Sequence, residues 1–241
     1  MAHGTPDWQV TGPKSINYAL YDLGELAARL GSPVVYDRRG DVIFLDDFGN
    51  GEAEWTYVTS GAGAVHYPTA YYARGNGVAQ LLGSGVTESC YARMSKYIYL
   101  PELSCLGLAG SLLLEVNLVK VYLGLYVASG SRELSYRMTY RHLTGDLCVA
   151  SGAVAENVVT TISPLYNLIP LFHYLKLRVD PVNEIYTELL INGIAVDLSA
   201  WTPQITTIGF PKSIRVDFYV EGSSGLASAI VVDHVILTQN E

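Results

Sequence analysis

Two glutamates, Glu184 and Glu188, have a residue type and spacing suited to the cleavage of a glycosidic bond. They share one face of a strand with Tyr186 between them, since side chains on a strand alternate with a period of two. Hydrolysis of a glycosidic bond uses two carboxyl groups held about 5 to 10 Å apart. Glu184 follows a turn, however, so a solvent-exposed strand face is the favoured interpretation. A glycan-active hydrolase or lyase is therefore the weakest functional hypothesis for this sequence.

Aromatic side chains are the second candidate group, because a ring face can stack on a sugar while polar neighbours bind its hydroxyls. Tyr67, Tyr71 and Tyr72 cluster in one segment, and Trp201 is suited to the same role. Tyr71 and Tyr72 point to opposite faces of any strand, so only one of them can join Tyr67 on a surface. Tyrosine is also enriched at protein interfaces. Core packing and ligand binding both remain open, with a protein partner favoured over a sugar.

Other catalytic patterns are absent from the sequence. Its five histidines show no HxH or HExxH spacing for a catalytic metal. There is no G-x-S-x-G segment for a serine nucleophile, and no glycine-rich loop precedes a helix as a nucleotide site requires. The three cysteines lack CxxC spacing and indicate small buried apolar residues. The sequence thus predicts a protein that is not an enzyme and that uses no catalytic cofactor.

Charge and hydropathy exclude two kinds of partner. The net charge of −8 and the isoelectric point near 5.1 argue against nucleic acid, which requires clustered Lys and Arg. Apolar runs such as residues 112–116 are far shorter than the ~20 residues of a membrane span. The first residues lack the charged and apolar blocks of a signal peptide. We therefore expect a soluble protein that is made in the cytoplasm and has no membrane partner.

The segment 173–199 predicts three consecutive antiparallel strands. Its first strand alternates with a period of two, which places one row of side chains in a core and the other in water. The core row is His173, Leu175, Leu177 and Val179, and the outer row is Tyr174, Lys176, Arg178 and Asp180. The turn at 180–183 has Asp and Pro where a type I turn prefers them, and Asn192-Gly193 suits a type I′ hairpin.

Strand and turn patterns alternate through the rest of the body. The other predicted strands are 42–45, 54–59, 70–74, 78–82, 91–100, 111–120, 122–128, 134–141, 146–150, 154–162, 205–210, 214–221 and 227–237. In the strand 134–141, a core row of Tyr136, Met138 and Tyr140 alternates with an outer row of Arg137, Thr139 and Arg141. Many short strands with short loops predict an all-β protein, an antiparallel sandwich or jelly roll.

The N-terminal region differs from the body and predicts a separate unit of residues 1–41 before a sandwich of residues 42–241. Residues 1 to about 16 form an extended arm with Trp8 in its middle. Leu20, Leu23 and Leu30 then follow a helical spacing that ends at Gly31. The apolar side chains of this unit either cover an open end of the sandwich or pack on another subunit.

Three segments carry a resemblance to a known group of proteins. They are IFLDDFGNGEAEW (43–55), HYLKLRVDPVNEIYTELLINGIAVDLS (173–199) and IVVDHVILTQNE (230–241). Together they resemble the concanavalin A-like and carbohydrate-binding-module jelly rolls, in which the last strand lies beside the first. The glucanase branch of that fold places alternating acidic residues along one strand, and this chain has no such run. The N-terminal unit followed by DRRGDVIFLDDF is also similar to phage and prophage virion proteins that carry such a sandwich.

This resemblance implies a possible calcium site. If the first and last strands are neighbours, Asp46, Asp47 and Asp233 meet at one edge, where such modules often hold a structural Ca²⁺ through oxygen ligands. The alternative is that Asp46 or Asp47 caps the following turn while Asp233 faces water. No DxDxDG-type loop supports the calcium interpretation.

Three functions follow in order of preference. The first is a non-enzymatic structural protein whose N-terminal unit ties it into a homo-oligomer or a shell, such as a phage capsid decoration or fibre component. The second is a carbohydrate-binding module that uses the four aromatic rings as sugar platforms. The third is the hydrolase or lyase based on Glu184 and Glu188.

Overall fold

The computed structural model describes residues 40–49, 54–67, 79–83, 90–99, 102–114, 120–166, 171–221 and 228–241. These residues form sixteen β-strands. Within the same ranges, no helix is long and apolar enough to cross a membrane. The predicted arm and helix, the predicted strand 70–74 and most of the predicted unit 1–41 lie outside the described residues. The division into two units therefore stays a prediction.

The strands follow one another with short connections. In chain order they are β1 (Asp41–Asp46), β2 (Thr56–Ser60), β3 (Ala64–His66), β4 (Ala79–Gly83), β5 (Tyr91–Tyr99), β6 (Leu106–Leu114), β7 (Lys120–Ala128), β8 (Arg132–Arg141), β9 (Asp146–Ser151), β10 (Val154–Thr161), β11 (Phe172–Asp180), β12 (Ile185–Ile191), β13 (Ile194–Asp197), β14 (Gln204–Thr207), β15 (Ser213–Glu221) and β16 (Ser228–Gln239).

The strands build two eight-stranded sheets, and every strand pair is antiparallel. Sheet A has the order β13-β12-β11-β6-β16-β4-β3, with β1 also paired to β16. Sheet B has the order β10-β9-β8-β7-β15-β5-β2, with β14 also paired to β8. The first strand of the body therefore lies beside the last, as the resemblance implied. The predicted all-β antiparallel sandwich is confirmed.

One hydrophobic core lies between the two sheets. Leu108 and Leu177 of sheet A and Leu123 and Phe218 of sheet B all belong to it and are almost completely buried. Alternation along the strands of sheet B sends Tyr136, Met138 and Tyr140 into this core, as the sequence predicted. The residues between them must point to the outer face of sheet B.

The predicted meander is present with both of its turns. Asp180 pairs with Ile185 across the first turn, where its carboxylate accepts hydrogen bonds from the Val182 and Asn183 amides. Glu184 has a φ of 57°, so β12 begins one residue later than predicted. Asn192 and Gly193 have φ values of 50° and 83°, which are the positive angles that a type I′ turn requires.

The strand predicted at 111–120 instead spans Leu106–Leu114, and this boundary was wrong. All nine of its residues are buried, because β6 is a central strand covered on both faces. Such a strand shows no alternation, so the sequence does not mark where it starts. The three-residue strand β3 was also missed, since so short a segment carries no periodic pattern.

The outer row of β11 is a second correction, because Tyr174 and Lys176 are buried rather than in water. The Lys176 ammonium lies 2.6 Å from the Glu241 carboxylate, and both side chains are 1% exposed. Glu241 also lies 3.3 Å from Arg178. A charge can be buried in this way only when an opposite charge accompanies it, and the sequence pattern does not reveal that pairing.

Candidate functional site

The two glutamates of the weakest functional hypothesis are engaged in separate ion pairs. Glu184 lies 2.9 Å from Arg132 and Glu188 lies 2.7 Å from Arg178. Glu184 stands in the turn before β12, and its ion pair is open to solvent. Each carboxylate therefore has its own arginine partner.

The predicted sugar platforms do not form one surface. Tyr67 packs against the core, where its hydroxyl contacts Sδ of the buried Met94 and its ring lies 6.4 Å from that of Phe48. Trp201 also packs on the core, beside β12 at the opposite edge of sheet A from Tyr67. Both rings are partly buried, and their role in binding stays a prediction. Tyr71 and Tyr72 lie outside the described residues.

The three aspartates of the predicted calcium site have other partners. The Asp46 carboxylate accepts hydrogen bonds from the Phe48 amide and from the indole of Trp55, and Asp47 accepts one from Gly49. Asp233 is buried, contrary to the alternative of a water-facing group, and lies 3.4 Å from His234. No group of three or more acidic, His or Cys side chains suited to a metal ion occurs in the described ranges. Calcium binding by the whole chain stays a prediction.

The predicted assembly residues Trp8, Leu20, Leu23 and Leu30 all lie outside the described residues. Their role in an oligomer or a virion stays a prediction.

The most distinctive site that the structure describes is a cleft of about 380 Å³ on the outer face of sheet B. It crosses the adjacent strands β5, β15, β7 and β8, which are held in register by their backbone hydrogen bonds. The side chains of the outer face converge there because the alternate ones fill the core. The lining residues are Tyr91, Arg93, Tyr122, Gly124, Tyr126, Arg137, Asp217, Tyr219 and Glu221.

Tyrosine rings form one wall of the cleft. The Tyr219 ring lies 5.1 Å from that of Tyr91 and 4.8 Å, edge to face, from that of Tyr122. Burial and the nearby Glu221 carboxylate raise the pKa of Tyr219 to about 12, and the same two causes raise the pKa of Tyr122. Both phenols are therefore protonated at neutral pH, and the Tyr219 hydroxyl can donate a hydrogen bond to a ligand.

The floor of the cleft is Gly124, which faces Asp217 on β15 and Arg137 on β8. A Cβ atom added at Gly124 would lie 2.6 Å from the ring of Tyr126. The Arg215 guanidinium lies 3.9 Å from the centre of the same ring. Glycine at this position therefore allows Tyr126 to lie across the floor, where the cation of Arg215 holds it.

Tyr122 lies between two carboxylates at one end of the cleft. Its hydroxyl oxygen is 3.0 Å from Glu156 and 2.8 Å from Glu221. Glu156 also accepts hydrogen bonds from Arg141 and forms an ion pair with Lys120. Burial acts to raise the pKa of Glu156, but the hydrogen bonds and the two cations outweigh it and hold this pKa below its usual range.

Asp217 is the acidic group nearest the floor. It lies 3.2 Å from Nε of Arg215 and is almost fully buried. Burial raises the pKa of Asp217 despite the opposing charge of Arg215. A carboxyl group in this condition can take up a proton more readily than an ordinary aspartate.

Arg93 and Arg137 are the two cations that line the cleft. The Arg137 guanidinium lies 5.5 Å from the Tyr122 ring and donates a hydrogen bond to the Ala155 carbonyl. The Nε atoms of Arg93 and Arg137 are buried and have no hydrogen-bond acceptor.

A smaller hollow of about 70 Å³ lies further along the strands and shares Tyr126 with the cleft. Tyr126 and the side chain of Arg215 lie between the two spaces. The far end carries Tyr97 and Phe210, which are 47% and 54% exposed, and β5 ends at Tyr99, which is 78% exposed. Exposed rings therefore follow the cleft in the direction of the strands.

This cleft was not predicted from the sequence. The sequence pattern that indicates it is an alternation of aromatic and charged residues opposite each core row, most clearly Asp217, Tyr219 and Glu221 along one face of β15. The outer row of Arg137, Thr139 and Arg141 was recognised as basic and polar but was not linked to other strands. Since β5, β15 and β7 are adjacent in space but not in sequence, only the sheet order brings these rows together.

Comparison with known proteins shows the fold of this chain. No protein-family model matches it, and no curated protein does so either. Among solved structures, it is similar to an endo-β-1,4-glucuronan lyase from the fungus Trichoderma reesei, with a TM-score of 0.56 and 9% identity over 83% of this chain and 96% of that one. The protein has the concanavalin A-like jelly-roll fold.

Two further similar structures have different roles in their names. A carbohydrate esterase from the Shiga toxin-encoding bacteriophage phi24B has a TM-score of 0.51 and 12% identity over 84% of this chain and 100% of that one. Peanut lectin has a TM-score of 0.50 and 11% identity over 82% of this chain and 96% of that one. Because enzymes and a lectin share the fold, the fold does not decide whether this protein is an enzyme.

Proposed function

We propose that this protein binds a carbohydrate chain in the cleft on the outer face of sheet B. The observation that carries the proposal is the convergence of four tyrosines, two arginines and two carboxylates in one open cleft. Ring faces stack on the apolar faces of sugars, while charged and hydroxyl groups bind sugar hydroxyls. The cleft offers both kinds of group side by side.

The cleft and the smaller hollow lie one after the other along the strands, which supports an extended ligand rather than a single sugar. From Tyr219 at the cleft to Ser213 at the smaller hollow, β15 advances six residues, or roughly 20 Å at about 3.3 Å per residue. Tyr97 and Phe210 offer exposed rings at the far end. A chain of several sugars can therefore follow the strands from one end to the other.

Affinity electrophoresis through gels that contain different polysaccharides tests this proposal. Tyr219→Ala removes the ring that contacts both Tyr91 and Tyr122, and Tyr166→Ala is the matched control, since Tyr166 is exposed and does not line the cleft. We expect at least one polysaccharide to retard the wild-type protein and the control equally, and Tyr219→Ala much less. Equal retardation of all three proteins would show that the carbohydrate binds outside the cleft.

Cleavage of the bound chain is a second candidate, favoured by Glu156, Tyr122 and Glu221. Since both carboxylates lie within 3.0 Å of one phenol oxygen, their nearest oxygens are at most about 6 Å apart. This separation is near the one used in retaining glycoside hydrolysis. Release of reducing ends from a polysaccharide that binds would support it. Glu221→Gln should then abolish release while binding remains.

A structural role in a homo-oligomer or a virion is the third candidate and the one that the sequence favoured. Both edges of sheet B carry apolar side chains in water. Tyr57 and Val58 on β2 are 48% and 36% exposed, and Val154 and Val158 on β10 are 51% and 50% exposed. Edge strands with exposed apolar groups are suited to contacts with another chain. This role is compatible with carbohydrate binding, because the cleft lies between those edges.

A further inference from the structure

The arginines fall into two groups, those with a carboxylate partner and those without one. Six arginines fall in the described ranges, and Arg132, Arg141, Arg178 and Arg215 each lie within 4.0 Å of a carboxylate. Arg93 and Arg137 have no such partner within those ranges, and both line the cleft. The chain carries 23 acidic and 15 basic residues, so carboxylates are not scarce. Both arginines without a carboxylate within 4.0 Å thus line the cleft, where the charge of Arg93 also acts on the buried Asp217.

The Nε atoms show the same contrast. Four arginine Nε atoms are buried without a hydrogen bond, but those of Arg178 and Arg215 lie 3.3 and 3.2 Å from carboxylate oxygens. Those of Arg93 and Arg137 have no carboxylate at such a distance. The two cleft arginines are therefore the ones whose buried Nε atoms have no carboxylate close by.

The two arginines are placed to act on one ligand. Arg93 lies opposite Tyr219, and Arg137 lies opposite Gly124, which in turn faces Asp217 on β15. They therefore flank the floor from two sides, on β5 and β8. The backbone of Arg137 is fixed by the buried Tyr186 hydroxyl, which accepts a hydrogen bond from its amide. The pair approaches the ligand from a rigid sheet.

We infer that the cleft recognises a saccharide that carries an anionic group, namely the carboxylate of an acidic sugar, through Arg93 and Arg137. This inference rests on the proposed function and names the class of sugar. Arginine binds carboxylates through parallel hydrogen bonds that are stronger than those between neutral groups. A neutral sugar offers only uncharged acceptors, so its hydrogen bonds to the guanidinium groups are weaker. Sulfate esters present similar oxygens, and the experiment separates the two.

The experiment compares polymers that share a backbone and differ only in charge. Polygalacturonate, alginate and hyaluronan are each titrated into the full chain, together with the carboxyl-reduced form of each polymer. We expect at least one acidic polymer to bind ten times or more as tightly as its reduced form. That preference should weaken in high salt, since salt screens charges. Dextran sulfate and dextran form the sulfate arm of the experiment.

Variants locate the preference. Arg93→Gln and Arg137→Gln should each lower the affinity for the acidic polymer about tenfold and lower the affinity for its reduced form much less. Arg132→Gln is the matched control, because Arg132 is exposed, pairs with Glu184 and does not line the cleft. If Arg137→Gln does not fold, the comparison of acidic and reduced polymers on the wild-type protein still shows whether an acidic sugar is preferred.

The outcomes distinguish this inference from the proposed function. Equal binding of acidic and reduced polymers would overturn the inference and leave carbohydrate binding intact. A preference for dextran sulfate alone would overturn the assignment of a carboxylate. Binding to none of the polymers, in a panel extended to neutral glucans, mannans and galactans, would contradict the proposed function itself.

Discussion

The hydroxyl of Tyr186, on one sheet, lies 2.9 Å from the backbone nitrogen of Arg137, on the other. The same hydroxyl donates a hydrogen bond to the carbonyl of Ala150 at 2.7 Å. The backbone pairing between β8 and β9 ends at Met138 and Val149. At the next position the Tyr186 hydroxyl joins the two strands, because it binds Arg137 on β8 and Ala150 on β9. The core thus holds the strand that carries a cleft arginine.

Removal of this hydroxyl should destabilise the protein and loosen the cleft. Tyr186→Phe keeps the ring, which packs edge to face on Tyr136 at 5.1 Å, but leaves the Arg137 amide and the Ala150 carbonyl without a partner. We expect a loss of about 1 to 3 kcal/mol in the free energy of unfolding. Urea denaturation measures it, with Tyr166→Phe as the exposed control. An unchanged midpoint would show that the hydroxyl does not tie the two sheets together.

Substitution of the cleft floor should affect binding more than stability. Gly124→Ala places a methyl group against the Tyr126 ring, which must move away from Arg215. The contact is with the far end of a side chain, so the backbone can stay in place. We expect a loss of about tenfold in carbohydrate affinity, or about 1.4 kcal/mol, and only a small change in the melting temperature. Undiminished binding would show that the ligand does not reach the floor.

The carboxylate of Glu156 gives the stability of the protein a pH dependence. Its pKa is lowered in the folded state, so the stabilisation is present above the unfolded value of about 4.3 and is lost as the pH falls through the folded value. Glu156→Gln removes it. At pH 7 the variant should be about 1 kcal/mol less stable, a modest value because the ion pairs are partly open to solvent.

Urea denaturation of both proteins from pH 7 to pH 3 measures this linkage. The two stabilities should converge at the acidic end. A difference that stays constant over the whole range would mean that Glu156 does not stabilise the fold through its charge.

The assembly predicted for the N-terminal region is tested by light scattering coupled to size-exclusion chromatography. The full chain should elute well above 26 kDa, and a variant that lacks residues 1–31 should be a folded monomer. Monomers in both cases would contradict a role of Trp8, Leu20, Leu23 and Leu30 in assembly. This result would leave the cleft and its proposed ligand unaffected.

The fold followed from local patterns, and the cleft did not. Asn192-Gly193 specifies its turn through backbone angles that few other residues adopt, and the alternation in β8 identifies Tyr136, Met138 and Tyr140 as core residues. Both signals lie within ten residues of sequence. The cleft joins Arg93, Arg137 and Tyr219, which are far apart in the chain and meet only through the order of the strands.

Glu184 and Glu188 show how little sequence spacing says about the partners of a charge. Their spacing along one strand suggested shared chemistry, but Arg132 and Arg178 pair with them from other strands. The partner of a surface charge depends on tertiary structure, so sequence spacing alone overestimates how often two acidic residues act together. Tyr67 and Trp201 pack partly against the core, and the sequence could not predict this, because a ring near a strand end can pack inward as easily as outward.

The most direct test of the account is to map where a carbohydrate binds, by backbone amide chemical shifts during titration with a fragment of the polysaccharide that binds most tightly. If the carbohydrate binds in the cleft, the shifts should be concentrated at Arg93, Tyr122, Gly124, Arg137 and Tyr219, with little change around Tyr67 and Trp201. Saturable shifts confined to sheet A, with an undisturbed cleft, would contradict the assignment of the site.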